Sequence, residues 1–159
     1  AAFAEEFSVL SRAYRQGVPV LDSLITAFLS DYERGHMPKP MRLHLAIGSQ
    51  SSVWDAAVQS GALEILDVDL IFQLSSYYSF KNLVNDEFIS FRRLTEQYVL
   101  PNLDKRSEEF YHTETKEFKE KYRWYLDSMR ILREYTHRVQ EMTDSLLADI
   151  QRYTELENR

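Results

Sequence analysis

The sequence predicts an all-α helical bundle built on two long antiparallel helices, and three observations carry that prediction. Late in the chain an apolar residue recurs every seventh position, at Phe118, Tyr125, Leu132, Val139, Leu146 and Tyr153, across a stretch (116–157) without Pro or Gly. The same period runs through Leu70, Tyr77, Val84, Phe91 and Tyr98. Only 4 Gly and 4 Pro occur in 159 residues, which suits long helices better than a many-turned sheet. Adjoining tracks at Tyr122, Met129 and Ile150, and at Tyr135, Met142 and Leu156, widen the last stripe beyond a two-stranded coiled-coil seam. A helix so striped packs against several neighbours.

In chain order, Phe3, Phe7, Leu10 and Tyr14 define a first helix over 2–16, with Gly17 placed as a C-terminal glycine. Pro19 then opens a second over 19–33, with Leu21, Leu24, Ile25, Phe28 and Tyr32 facing inward. These two form the N-terminal helix pair. Pro38 and Pro40 break regular structure, and Leu43, Leu45 and Ile47 alternate with Arg42, His44 and Ala46, so 34–50 reads as an irregular, extended segment laid across the bundle. Ser51 or Ser52 caps a short Trp54-bearing helix over 51–60, stopped by Gly61. Asp67 caps a long helix over 67–100, and Pro101 ends it. The last helix is expected over 104–157, weakest around Thr113 and Thr115, and the short joint at Pro101-Asn102 forces the two long helices antiparallel. The whole of 1–159 reads as one domain.

Composition narrows the function classes. The hydrophobic share of 44%, with 28% charged residues, is that of a folded globular chain. A net charge of −6 argues against a general nucleic-acid binder, which needs a basic face to displace counterions from phosphates. With no Cys there is no disulfide, thiolate nucleophile or thiolate metal site. The segment 116–138 is locally basic, with 7 Lys and Arg against 4 Asp and Glu, but the signs interleave as on a solvated helix face.

Two Glu-x-x-His motifs, Glu109/His112 and Glu134/His137, invite comparison with di-metal carboxylate bundles, in which such pairs on converging helices share two metals. Here both fall on one expected helix, roughly 37 Å apart at 1.5 Å per residue, and Glu134 and His137 lie opposite the Leu132–Val139 core face. No metal site is therefore assigned. Neither a Gly-x-Ser-x-Gly turn nor a phosphate loop is present, and no catalytic residue is assigned. The candidate ligand-binding residues are Lys81, Tyr77, Tyr78 and Trp124, aromatics able to line a pocket between helices with a cation to meet an anion. Core packing is the ordinary use of such aromatics, and Lys81 can instead extend its stem to water.

The run Trp54-Asp55-Ala56-Ala57-Val58-Gln59-Ser60-Gly61-Ala62-Leu63, followed by 67–78, resembles the helical soluble domain of uncharacterised bacterial proteins that carry a single N-terminal transmembrane anchor. The resemblance is strongest over 52–78. It implies an anchor preceding Ala1, placement at the bacterial membrane and no known activity; these residues leave the side of the membrane open, and the periplasmic face is the expectation. The reading that follows is a non-catalytic interaction or scaffolding domain of a membrane-anchored bacterial protein, without cofactor and without nucleic acid, taking a protein partner or associating with itself. An extracytoplasmic ligand-sensing helical bundle is the alternative, and a di-metal carboxylate enzyme a third.

Overall fold

The computed structural model describes residues 2–45 and 52–157, and its architecture is an all-α bundle. Helix α1 spans Ala2–Glu33 without interruption, joining the segments 2–16 and 19–33 that Gly17 and Pro19 were expected to separate. The reason lies in its inner face. Phe7, Leu10, Tyr14, Val18, Leu21, Ile25 and Phe28 are buried at steps of three and four residues that pass straight through Pro19, which points outward. Burial along the whole face outweighs the one backbone bond that an interior proline removes.

After α1 the chain reverses at Gly35 and Met37, whose φ angles of 72° and 52° lie in the left-handed region. Residues 38–45 then run as an extended strap. The Tyr111 hydroxyl donates to the Pro38 carbonyl, while the Tyr125 hydroxyl donates to Met41 O at 2.7 Å and accepts from Met41 N at 2.8 Å. Leu43 and Leu45 turn inward and Arg42 and His44 outward. A Cβ on Gly17 would come within 2.6 Å of Leu45, so Gly17 lets the strap lie against α1. Ile47 and the Ser51 cap lie outside the described residues.

Short helix α2 (Ser52–Ser60) carries Trp54, half-buried and stacked on Tyr78 with centroids 5.3 Å apart. Gly61, at φ 73°, and a 3-10 turn at Ala62–Ile65 lead to α3 (Val68–Leu94), capped by Asp67 through a 2.9 Å bond from Asp69 N. Where the α pattern was expected to continue to 100, the chain widens into a π-helical turn over Thr95–Val99 and then tightens into a 3-10 turn over Leu100–Asn102.

Residues 103–122, expected as the start of the last helix, are instead a folded loop. It holds 3-10 turns at Ser107–Phe110 and Glu120–Tyr122 and an antiparallel bridge between Tyr111 and Phe118, with Lys116 at φ 62°. Phe110, Tyr111, Phe118 and Tyr122 are all buried there, and the Tyr111 and Phe118 rings stack 4.5 Å apart. Helix α4 (Arg123–Glu157) returns antiparallel to α3: Phe91 meets Tyr125, Phe80 meets Tyr135 and Tyr77 meets Thr143. It is antiparallel to α1 as well, through Ser11–Asp144 and Asp22–His137.

The membrane-anchored reading is overturned. Among the described residues no helix is long and apolar enough to cross a membrane. The longest, α4, interleaves Arg123, Asp127, Arg130, Arg133, Glu134, Arg138, Glu141 and Asp144 with its apolar stripe, and mean hydropathy over the chain is −0.43. With no spanning helix among the described residues to support them, the bacterial anchoring, the periplasmic placement, the scaffolding role built on them, the extracytoplasmic sensor and the membrane partner are withdrawn. The expectation of a protein partner or self-association went with that scaffolding role and is withdrawn with it; the half-buried aromatics pack within the chain, Trp124 on Phe91 and Tyr125, and Phe80 on Tyr135. The exclusion of nucleic acid rested on net charge alone, which does not describe a local face such as 116–138.

Candidate functional site

A cleft of 270 Å³ opens where the strap crosses the end of α3, lined by Arg42, Leu43, His44, Phe91, Arg92, Thr95, Glu96 and Leu100. Its volume is near the lower end of small-molecule sites, which run roughly 300–1,000 Å³. Three local features build it. The strap's alternation turns Leu43 inward and sets Arg42 and His44 on either side of it. Where α3 passes into the turn, Phe91 and Thr95 share the inner face four residues apart, while Arg92 and Glu96 share the outer one. The chain then takes its π-helical turn at Thr95, with the Leu100 amide bonding to the Thr95 carbonyl. Such widened turns are rare and concentrate at functional sites.

Thr95 is the unusual group. It is 3% exposed, and its hydroxyl is buried with no hydrogen-bond partner among the described residues. A buried hydroxyl without a partner costs on the order of 1–3 kcal/mol. Around it the walls are apolar, from Phe91, Leu43 and Leu100, and the rim carries two guanidinium groups and one carboxylate. None of Arg42, Arg92 and Glu96 forms an ion pair among the described residues.

Of the four residues expected to meet a ligand, three come together elsewhere. Tyr77, Tyr78 and Lys81 lie on the buried face of α3 against α1 and α4. The Tyr78 hydroxyl donates to Glu6 Oε2 at 2.9 Å, and Tyr77 is hydrogen-bonded to Thr143 Oγ1 at 3.0 Å. Lys81 Nζ lies 5.8 Å from the Tyr78 ring centroid. Burial lowers the Lys81 ammonium pKa, and the nearby Glu6 carboxylate works in the other direction. Burial pushes the Tyr77 hydroxyl up to about 12, and raises Tyr14 and Tyr78 further, with Tyr77 and Glu6 respectively adding to the effect. Glu6 Oε1 is buried there without a hydrogen-bond partner among the described residues, while the Tyr14 hydroxyl lies beside that of Tyr77. Trp124 stands apart: its indole N–H donates to Lys121 O at 2.8 Å, and its ring packs edge-on to Phe91, the cleft wall.

The di-metal reading is overturned. Glu109 lies in a 3-10 turn of the folded loop, with His112 just beyond it, whereas Glu134 and His137 lie on α4. His137 Nε2 faces Asp22 Oδ1 at 3.0 Å on the exposed surface, and His36 Nδ1 faces Asp31 at 3.4 Å. No cluster of three or more His, Asp or Glu able to hold a metal exists among the described residues.

No protein-family model matches the chain, and neither the curated proteins nor the solved structures contain a significant match to it. The resemblance over 52–78 to anchored bacterial proteins thus has no counterpart among them, and the family reading is withdrawn. Sequence reasoning missed Arg42, Arg92 and Thr95. The alternation at 42–45 was a usable signal for the strap, but nothing in the one-dimensional pattern places the strap over Thr95.

Proposed function

We propose that this chain is a non-catalytic helical bundle that binds a small molecule in the cleft between the strap and the π-helical turn. The observation that carries the reading is Thr95, a residue of the cleft wall whose hydroxyl is buried with no hydrogen-bond partner among the described residues. Natural proteins leave few such groups unsatisfied, and those they leave often await a ligand or water. Binding is favoured over catalysis because, among the described residues, no base within hydrogen-bonding reach activates that hydroxyl. A second reading keeps Lys81, Tyr77 and Tyr78 as the ligand's partners, on the strength of Glu6 Oε1, buried without a hydrogen-bond partner among the described residues.

The test is a fragment screen read by amide chemical shifts of the isotope-labelled chain. The cleft reading expects perturbations confined to 42–44 and 91–100. Shifts confined to 6–14 and 77–81 would favour the second reading, and a library without effect at either place would sink both. Thr95→Val provides an internal control. Removing an unsatisfied hydroxyl is expected to raise stability by about 1 kcal/mol while weakening whatever fragment bonds there.

A further inference from the structure

Resting on the cleft reading, we infer that the ligand class is a small monocarboxylate with a short apolar body, its carboxylate held between Arg42 and Arg92 and its body laid on Phe91, Leu43 and Leu100. The charge inventory of the lining selects the class. Two guanidinium groups against the single carboxylate of Glu96 leave one positive charge. One negative charge balances that count. A dianion would face Glu96 with a charge left over, and a cation would face two arginines. Guanidinium is also the side chain whose planar fork matches a carboxylate with two parallel N–H···O bonds. Neither arginine forms an ion pair among the described residues, so neither must give up an internal carboxylate to take one from outside.

The floor sets the rest of the ligand. Three apolar residues line it, and the Phe91 ring is fixed by contacts at 5.3 Å with Tyr125 and 6.0 Å with Trp124. A preordered apolar wall of this kind adds affinity for a short alkyl or aryl group with little ordering cost. The 270 Å³ of the cleft, near the lower end for small-molecule sites, suits a short body.

The deciding experiment titrates the full chain with four probes of one tail length, hexanoate, hexanol, hexylamine and hexyl phosphate, at neutral pH and low ionic strength, following amide shifts of 42–44 and 91–96. Hexanoate is expected to bind about tenfold more tightly than hexanol, the size of one charge-assisted pair, with hexylamine weaker still and hexyl phosphate weaker than hexanoate. In the R42Q/R92Q variant hexanoate affinity is expected to fall about tenfold while hexanol affinity and the melting temperature hold, since both arginines are exposed. Hexyl phosphate or hexylamine binding better than hexanoate would overturn the inference, as would an unchanged hexanoate affinity in the double variant. Fragments of other chemistry binding the cleft while hexanoate does not would defeat the carboxylate class and leave the binding reading standing. A cleft silent to every probe and fragment removes both.

Discussion

Tyr14, Tyr77, Tyr78, Tyr111 and Tyr125 are buried with their hydroxyls inside the fold, and burial raises the pKa of each above its ordinary value near 10. Three of those hydroxyls pin distant pieces of chain: Tyr78 to Glu6, Tyr111 to Pro38 and Tyr125 to Met41. An ionised oxygen would lose its proton for the acceptor it serves and would sit against a carboxylate or a carbonyl. In the unfolded chain these groups release their protons near pH 10, whereas in the fold Tyr77 holds its proton to about 12 and the others longer. Between those limits the unfolded state carries fewer protons, so stability is intact below roughly pH 10 and is lost as pH rises toward the folded values. Part of the tyrosinate absorbance is therefore expected to appear only together with loss of helical circular dichroism, as one steep alkaline transition. Full tyrosine titration near pH 10 with helicity preserved would contradict the buried assignment. The rings at 77 and 125 were legible as core from their period alone. Their hydroxyl partners, Thr143 and Met41, were not, because those lie 66 and 84 residues away in the chain.

Among the elements, the seven-residue periods placed the inner faces of α3 and α4, since a buried stripe on a long helix leaves a direct mark on sequence. Two local rules misled at α1 and at 103–122. Gly17 and Pro19 read as a stop and a start, yet α1 runs through both because Val18 and Leu21 continue its buried face and Leu45 needs the space that Gly17 leaves. Phe118 fits the sevens of the last helix but packs in a loop, where Tyr32, Tyr111 and Tyr125 surround it. A period cannot distinguish a helix from a loop whose aromatics happen to keep the count. The α1 result is directly testable. Pro19 is exposed in the middle of a helix, where proline is worth about 3 kcal/mol less than alanine. Replacing it by alanine also frees the unfolded chain, which opposes the gain by roughly 0.4–1 kcal/mol. Pro19→Ala is expected to stabilise the chain by about 1–3 kcal/mol in urea unfolding. A neutral or destabilising effect would mean that α1 is bent or divided there, as Gly17 and Pro19 first implied.

At the scale of the molecule, α1, the strap, α3, the 103–122 loop and α4 contribute to one continuous set of buried side chains, from Phe7 and Leu74 at one end to Phe110 and Tyr122 at the other. Phe118 alone touches rings from three of these pieces: Phe28 and Tyr32 of α1, Tyr111 and Tyr122 of the loop, and Tyr125 of α4. With contacts shared this way, no large part can open without exposing the core of the rest, so residues 1–159 are expected to unfold as a unit even though the length is near the upper end for two-state behaviour. The two tryptophans make the expectation measurable. Trp54 reports the α2 end through its stack on Tyr78, and Trp124 reports the start of α4 through Phe91 and Tyr125. Two single-tryptophan variants, Trp54→Phe and Trp124→Phe, should each give a fluorescence midpoint in urea that coincides with that variant's own loss of helical signal. An earlier fluorescence change in the variant that keeps Trp54 would show α2 detaching before the three long helices part. The core would then end at Tyr78, and the strap cleft would belong to a smaller cooperative unit.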